Sequence, residues 1–593
     1  MSLLGLISAK FTFIFYLIGT TLLCAFLNGS YRFYEYYYDT PPVKTSYEYI
    51  IVGTGTAGSI IAAGIPSRDV LVVEAGSMRT SLMDVPLFQP LLQGTQYDWQ
   101  YQTEPQRNAC RALEGQRSNW PMGKVFGGTH MLNNMIHFDM MGNTDFSGWF
   151  ESPELTRKFL EYFHRWGKDP TIPVERLQYG TEFGEDFLDS MQAQTKCIER
   201  ENFCEKMEEL YSRLFAKPNV TARNGMRRTA SHYYWEQRRP GHELLLNAHV
   251  LKINVENGKA IGLVLEKSNR TYKIRASKGI ILSAGTVGSP KILLHSGIGP
   301  QKHLKAVKIP LVQNLPVGEN LQDHITTGMD LLLWPEKLPL RPHDLISPLN
   351  LWNFFNGKNS SLLLPGCEGL GGMLLPDVPR GLILGLGFMV MPAGIASDGG
   401  VHLHKLINLR EKVYTQYFQR ILEQNLQSVS ILPVLLQPKS RGHIRLRDAN
   451  PHSPPLINPN YLQHPEDLEN LVLGIDIVKE YLEEMNSKKA ELNPLPFPGC
   501  RKFTFDTKPY WECYVQSLTL TMYHPVGTCR MGPKRSKKAV VSNRDLAVHG
   551  VSGLYVVDGS VIPKLPTGNP NSAIAALAHY FLKVKFNVDL LGK

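Results

Sequence analysis

Apolar and polar positions along this chain switch between the period of strands and that of helices. Residues 50–52 (Ile50, Ile51, Val52) are an apolar β-branched run that predicts a buried strand. Small residues follow, Ala57, Ser59, Ala62 and Ala63, and suit a helix packed tightly on a sheet. Residues 70–73 are apolar again and run into Glu74. Strand, helix and strand in that order predict a βαβ unit. Residues 249–255, 260–266 and 272–276 alternate and predict a β-meander, followed by an apolar strand at 279–282 that ends near Gly285. Strands are also expected at 382–391, 429–436 and 553–558, and a helix of small residues from Ser572 onward. Glycine-ended strands near both ends and in the middle predict one domain assembled from 47–150, 226–325 and 520–593, with a second domain from 151–225 and 326–519. The expected class is α/β: a discontinuous Rossmann-like domain beside an α+β domain built on an antiparallel sheet.

The first turn carries Gly53, Gly55 and Gly58 in a G-x-G-x-x-G spacing, with Glu74 at the end of the second strand. The first glycine permits the tight turn, the second lets a pyrophosphate approach the backbone, and the third lets helix and strand pack closely. Glu74 is placed to accept hydrogen bonds from a ribose diol. A lone glycine motif is a weak signal; strand, glycines, small-residue helix and terminal acid together are a strong one.

The chain has 593 residues, 43% hydrophobic and 20% charged, so it is globular with more than one domain. Its net charge of +10 is scattered, with residues 534–538 the nearest to a basic block, and no nucleic-acid partner is expected. Eight cysteines show no zinc spacing; Cys500 with Cys513, or Cys197 with Cys204, would pair in an oxidising compartment. The uncharged run 11–27, opened by Phe11 and closed by Leu27, reads as a signal-anchor in preference to a cleaved signal peptide, with interfacial tyrosines just beyond it. Residues 1–46 are thus a targeting segment and linker, and the body is expected in the secretory pathway: in the endoplasmic reticulum lumen, membrane-anchored, or secreted. Asn28, Asn219, Asn269 and Asn359 head N-x-[ST] triplets, a number close to chance.

From about residue 48 to the end, with a weak stretch over 151–225, the chain resembles the glucose–methanol–choline (GMC) oxidoreductases, a flavoprotein family, in its insect branch. Five ordered motifs carry the resemblance: the βαβ unit; residues 123–133 (GKVFGGTHMLN); residues 285–299 (GTVGSPKILLHSGIG); residues 315–324 (LPVGENLQDH); and the C-terminal set His524-Pro525, Asp558-Gly559 and Asn569-Pro570-Asn571. The resemblance implies FAD. Glu74 would bind the adenosine ribose and Val250 would sit beside the adenine. Gly127, Gly128 and Asn133 would line the flavin, Asp558 would meet the pyrophosphate–ribityl region, and His524 and Asn569 would be the catalytic pair. No metal is implied.

The implied chemistry is alcohol oxidation, in which a base takes the hydroxyl proton while the C–H hydride goes to flavin N5. His524 is expected as the general base and Asn569 as the amide that holds the substrate oxygen. His295, His324 and His579 are left as structural. Several residues depart from the family pattern: Phe126, His130, His137, the turn Asp139-Met140-Met141-Gly142-Asn143, and Ser118, whose partner position is Cys110. His130 is expected to be a hydrogen-bonded loop histidine and not a covalent flavin attachment. The preferred substrate is a lipophilic alcohol of retinoid or steroid type, with a sugar or polyol as the alternative. An NAD-dependent dehydrogenase and a flavin-binding protein without redox turnover are the rival readings.

Overall fold

The structure, a computed structural model, describes residues 40–592 apart from 138–142, 166–167, 195–213, 378–380 and 425. The apolar run 11–27, Asn28, the turn residues Asp139 to Gly142, Cys197 and Cys204 lie outside the described residues.

The expected βαβ unit is β1 (Ser46–Val52), α1 (Thr56–Gly64) and β2 (Val70–Val73), with β1 and β2 parallel from Tyr49 opposite Val70 to Val52 opposite Val73. All four residues of β2 are buried, as strands covered on both faces require. A short strand β3 (His242–Leu245), not anticipated from its four residues, adds to β2 in parallel. The meander is β4 (His249–Glu256), β5 (Lys259–Lys267) and β6 (Arg270–Leu282). The alternating run 272–276 and the apolar run 279–282, read separately in the sequence, are one continuous strand of 13 residues. Its first half pairs antiparallel with β5 and is half solvated. Its second half lies parallel between β1 and β7 (Leu554–Val556) and is fully buried from Ile280 to Leu282. The hydrophobic pattern changes period where the environment changes from one covered face to two. The sheet order is β3-β2-β1-β6-β5-β4, with β7 on β6. Two further helices start at this sheet's carboxyl side: α2 (Gly285–His295), directly after β6, and α3 (Pro570–Phe586), which packs on α1.

A second sheet has eight strands, antiparallel in every described pair. Its centre is the pair Gly381–Met391 and Gln427–Leu435, matching the two long strands expected. Along the second of these, Val429, Ile431 and Leu435 pack in the core that also holds helix Pro465–Glu484. Leu432, Val434 and the following Leu436 belong to a different cluster and line a cavity. Period-two alternation therefore assigns one face to the core and the other to the cavity.

Cys500 and Cys513 form a disulfide, the first of the two pairings considered. Cys110 is a buried free thiol and Ser118 stands buried without a cysteine to offer it. Among the described residues no helix is long and apolar enough to cross a membrane.

Candidate active site

The two sheets share a cavity of about 900 Å³, inside the range typical of ligand clefts (roughly 300–1,000 Å³). Its Rossmann-side wall holds Gly53, Gly55, Glu74, Val250, Gly285 and Asp558. Its other wall comes from the antiparallel sheet, and His524 and Asn569 also face it.

The glycine turn fits a dinucleotide. Gly53 has φ +96°, and a Cβ there would stand 2.3 Å from the carbonyl oxygen of Ser283. A Cβ on Gly58 would stand 1.9 Å from the Gly53 carbonyl oxygen, so this glycine sets the helix–strand contact and does not line the cavity. At Gly55 nothing lies within 4 Å of the same point, leaving open space over the turn. The N-termini of α1, α2 and α3 all border the cavity; Asp558 accepts from Gly285 N at the start of α2, and the N-cap residues of α1 and α3 make no side-chain cap bond. The positive N-terminal end of α1, with its free N–H groups beside the open space over Gly55, forms a receptacle for a diphosphate.

The remaining expected cofactor residues divide by how much of each is free. Glu74 is buried; Oε1 accepts from Gly76 N at 2.9 Å, and Oε2 accepts from Thr54 N at 3.0 Å and Thr54 Oγ1 at 2.6 Å. The Ala75 backbone N–H also lies against this carboxylate, so backbone and Thr54 together fix its oxygens at the edge of the cavity. Burial pushes its pKa upward. Val250 lines the cavity from β4. The carboxylate of Asp558 is saturated by its own chain: Gly285 N at 2.9 Å, Ser289 Oγ at 2.5 Å, and Ser560 through both N and Oγ. It ties the start of α2 to the turn after β7, and its side chain offers a ligand no unused acceptor. Gly128 borders the cavity; Gly127 stands behind it with φ +111°.

Asn133 Oδ1 is held by Arg227, which the sequence reading missed. Arg227 is fully buried and donates to Met83 O at 2.9 Å, His130 O at 2.8 Å, Asn133 Oδ1 at 2.8 Å and Asn133 O at 2.7 Å. Burial lowers its pKa to about 9. One guanidinium thus fixes the loop from 130 to 133 through three acceptors and ties it to Met83 through a fourth. His130 is buried, with Nδ1 3.3 Å from Thr56 Oγ1 and Nε2 3.0 Å from Thr221 Oγ1. Burial, then the charges of Arg227 and His232, lower its pKa to about 3, keeping the ring neutral. Phe126 is turned away from the cavity onto Trp235, 5.9 Å between ring centroids.

His524 and Asn569 are brought together: Asn569 Nδ2 lies 3.1 Å from His524 Nε2. Asn569 is the N-cap residue of α3, yet its side chain makes no cap bond and reaches the histidine instead. His524 is aimed by its neighbours. Tyr523 before it holds φ +61°, an uncommon conformation for a bulky residue, and His524 N donates to Asp323 Oδ1 at 2.9 Å. Asp323 is fully buried; Oδ2 also accepts from Thr521 Oγ1 at 2.6 Å and from the Tyr461 hydroxyl. Burial pushes its pKa up to about 7.

The other side of the ring determines the tautomer. His524 Nδ1 stands 2.9 Å from His324 Nδ1, and His324 Nε2 stands 3.1 Å from the carbonyl oxygen of Leu436. A carbonyl only accepts, so His324 carries its proton on Nε2 and presents a bare Nδ1. His524 must then donate from Nδ1, leaving a lone pair on Nε2. Burial lowers the pKa of His324 to about 4 and holds that of His524 well below its ordinary value, with His324 contributing. Both rings are neutral near neutral pH. His324, left as structural in the sequence, is in direct contact with His524; the signal was its place at the end of the fourth motif.

Two models of the GMC oxidoreductase family match residues 47–326 and 438–578, most of the chain. The chain is a GMC oxidoreductase. It is 32% identical over 573 residues to a glucose dehydrogenase [FAD, quinone] of Drosophila melanogaster, covering 91% of this chain and 87% of that protein. It is 27% identical over 579 residues to an ecdysone oxidase of Bombyx mori, covering 92% and 83%. Among solved structures, the fold matches pyridoxine 4-oxidase from Mesorbium loti with a TM-score of 0.72 at 23% identity, covering 91% of this chain and 99% of that one. This GMC oxidoreductase is therefore an FAD-dependent enzyme acting on CH–OH donors, with an FAD-binding domain and a substrate domain.

Proposed function

We propose that this GMC oxidoreductase oxidises a lipophilic alcohol, with His524 as general base and Asn569 as the donor that holds the substrate oxygen. The hydrogen-bonded chain Leu436 O, His324, His524, Asn569 carries the reading. It presents an unprotonated Nε2 beside an amide N–H, which is the pair that an alcohol needs: an acceptor for its proton and a donor to its oxygen. FAD bound along the Rossmann-side wall supplies the hydride acceptor. His524 Nε2 takes the hydroxyl proton, and the Nδ1–H bond to His324 spreads the charge that results. Asn569 Nδ2 donates to the oxygen throughout, and the product is a carbonyl compound.

The substrate preference rests on the wall opposite the glycine turn. Leu364, Phe388, Met391, Leu432, Leu436 and Met522 line it, with Asn134 and Thr326 as polar neighbours whose side chains are bonded to backbone carbonyls. A sugar needs a hydrogen-bond partner for each hydroxyl, and burying one without a partner costs about 1–3 kcal/mol; a wall of leucine, methionine and phenylalanine favours an apolar skeleton. Gly53, Gly55, Glu74, Val250, Gly128 and Asn133 are proposed to contact FAD, with Gly58, Gly127 and Asp558 shaping the backbone behind them. The FAD-binding domain is proposed to comprise 47–150, 226–325 and 520–593 and the substrate domain 151–225 and 326–519, with routing to the secretory pathway, which the Cys500–Cys513 disulfide supports.

Mixing the FAD-loaded protein anaerobically with long-chain, steroid and sugar alcohols tests the substrate class. Flavin bleaching by apolar alcohols is expected; bleaching only by sugars would contradict it. Loss of bleaching in His524→Ala with FAD retained supports the base, and fractionation with the cytosol would overturn the routing.

A further inference from the structure

Helix Pro348–Phe355 is built on the surface with two apolar sides. Ser347 caps it, its side chain accepting from Asn350 N, and Pro348 opens its first turn. Leu351 and Phe354 face inward and pack with residues that line the cavity. Leu349, Trp352 and Phe355, three residues apart, face outward at 70%, 63% and 74% exposure. The side that a surface helix ordinarily gives to charged residues is apolar here.

This face is continuous with the mouth of the cavity. Ile346, just before the helix, is 52% exposed and lines the cavity, as do the exposed Leu91 and Val401. The rim is held together: His402 donates through Nε2 to Pro90 O at 3.0 Å, and Asn350 donates to Ser361 Oγ at 3.0 Å. The turn Ser361–Leu363 packs on both Pro86–Phe88 and Pro348–Phe355. Lys358 is exposed three residues past Phe355, and Arg341, half-buried, opens the neighbouring helix with its N–H on Asp344; Asp398 lies at the mouth near Val401. Nearby, Glu336 is paired with Lys489. The whole chain has a formal charge of +10.

We propose that Leu349, Trp352 and Phe355 dock the enzyme on an anionic lipid bilayer, with the cavity mouth against the membrane so that a lipophilic alcohol passes into it without crossing water. A tryptophan and a phenylalanine on a short helix, with lysine and arginine at its borders, match the chemistry of the bilayer interface. A protein partner is the weaker reading because the patch is joined to the mouth of an apolar cavity. The inference rests on the lipophilic-substrate reading for its purpose, but its test is independent of turnover.

The test is amide hydrogen exchange on the full-length FAD-bound protein, alone, with phosphatidylcholine vesicles, and with vesicles that also contain phosphatidylserine. Reading exchange by segment separates this face from residues 11–27, which would bind vesicles by themselves. Protection confined to residues 344–360 and the rim around Leu91 and Val401 is expected, strongest with phosphatidylserine. The variant L349S/W352S/F355S should weaken the vesicle dependence of that protection at least about tenfold while its bound FAD is unchanged. Three results would each overturn the proposal. The first is protection that appears with rising protein concentration and no vesicles, which means a second copy covers the face. The second is a segment already protected in the lone protein and unmoved by vesicles. The third is a glycan on the exposed Asn359, four residues past Phe355, which would hold the face off a bilayer. Failure here with apolar alcohols still bleaching the flavin would leave the substrate reading intact.

Discussion

Replacing His324, itself buried, with phenylalanine removes the acceptor for His524 Nδ1–H, which is 2.9 Å away in a part-buried setting. The ring then has two outcomes. It keeps its tautomer with a buried unpaired N–H, or it moves the proton to Nε2 and loses the lone pair that takes the substrate proton. An unsatisfied buried donor costs about 1–3 kcal/mol. At about 1.36 kcal/mol per factor of ten, the rate constant for flavin reduction should fall roughly 5–150-fold. His324→Gln offers an amide oxygen to the same N–H and should recover most of that loss. The assay is anaerobic stopped-flow bleaching of the bound flavin by an alcohol that reduces the wild type, with FAD content measured first. Wild-type rates in His324→Phe would refute the relay. Loss of FAD from both variants would show His324 to be a structural residue and nothing more.

Three further outcomes follow from the geometry. His524 must be neutral to act, and burial holds its pKa well below 6.5, so the reductive rate constant should stay level as pH falls through 6.5 and decline only below it; an inflection at or above 6.5 would contradict the assignment. Gly58→Ala forces a methyl group to within 1.9 Å of the Gly53 carbonyl oxygen, so the purified protein should lose most of its yellow flavin absorbance, whereas wild-type FAD content would show that the turn relaxes. Changing Cys500 and Cys513 together to serine opens a loop spanning 13 positions and should lower unfolding stability by about 3 kcal/mol in a guanidinium titration, with FAD binding unaffected at low denaturant.

The sequence is most legible where one residue type has one structural use. The β1–α1–β2 unit was readable because its glycines answer a steric demand and its strands are covered on both faces. β6 was read as two strands because a hydrophobic pattern reports environment, and the environment changes halfway along it. β3 was missed because four residues establish no period. At the site, His524 and Asn569 were visible through their motifs, but what prepares them was not. Arg227, Asp323 and the tautomer of His524 depend on contacts between residues far apart in the chain, such as the 200-residue separation between His324 and His524. Asp558 shows the converse: its motif is conspicuous, yet its carboxylate is occupied by Gly285, Ser289 and Ser560. The turn at 139–142, part of the flavin-side pattern, lies outside the described residues.

The most direct test is a single comparison: anaerobic reduction of wild type and His524→Ala, both loaded with FAD, by a long-chain or steroid alcohol. The account predicts that the wild-type flavin bleaches and that the variant retains FAD but bleaches about 10²–10⁴-fold more slowly. Equal rates in the two proteins would contradict the assignment of His524 as the base.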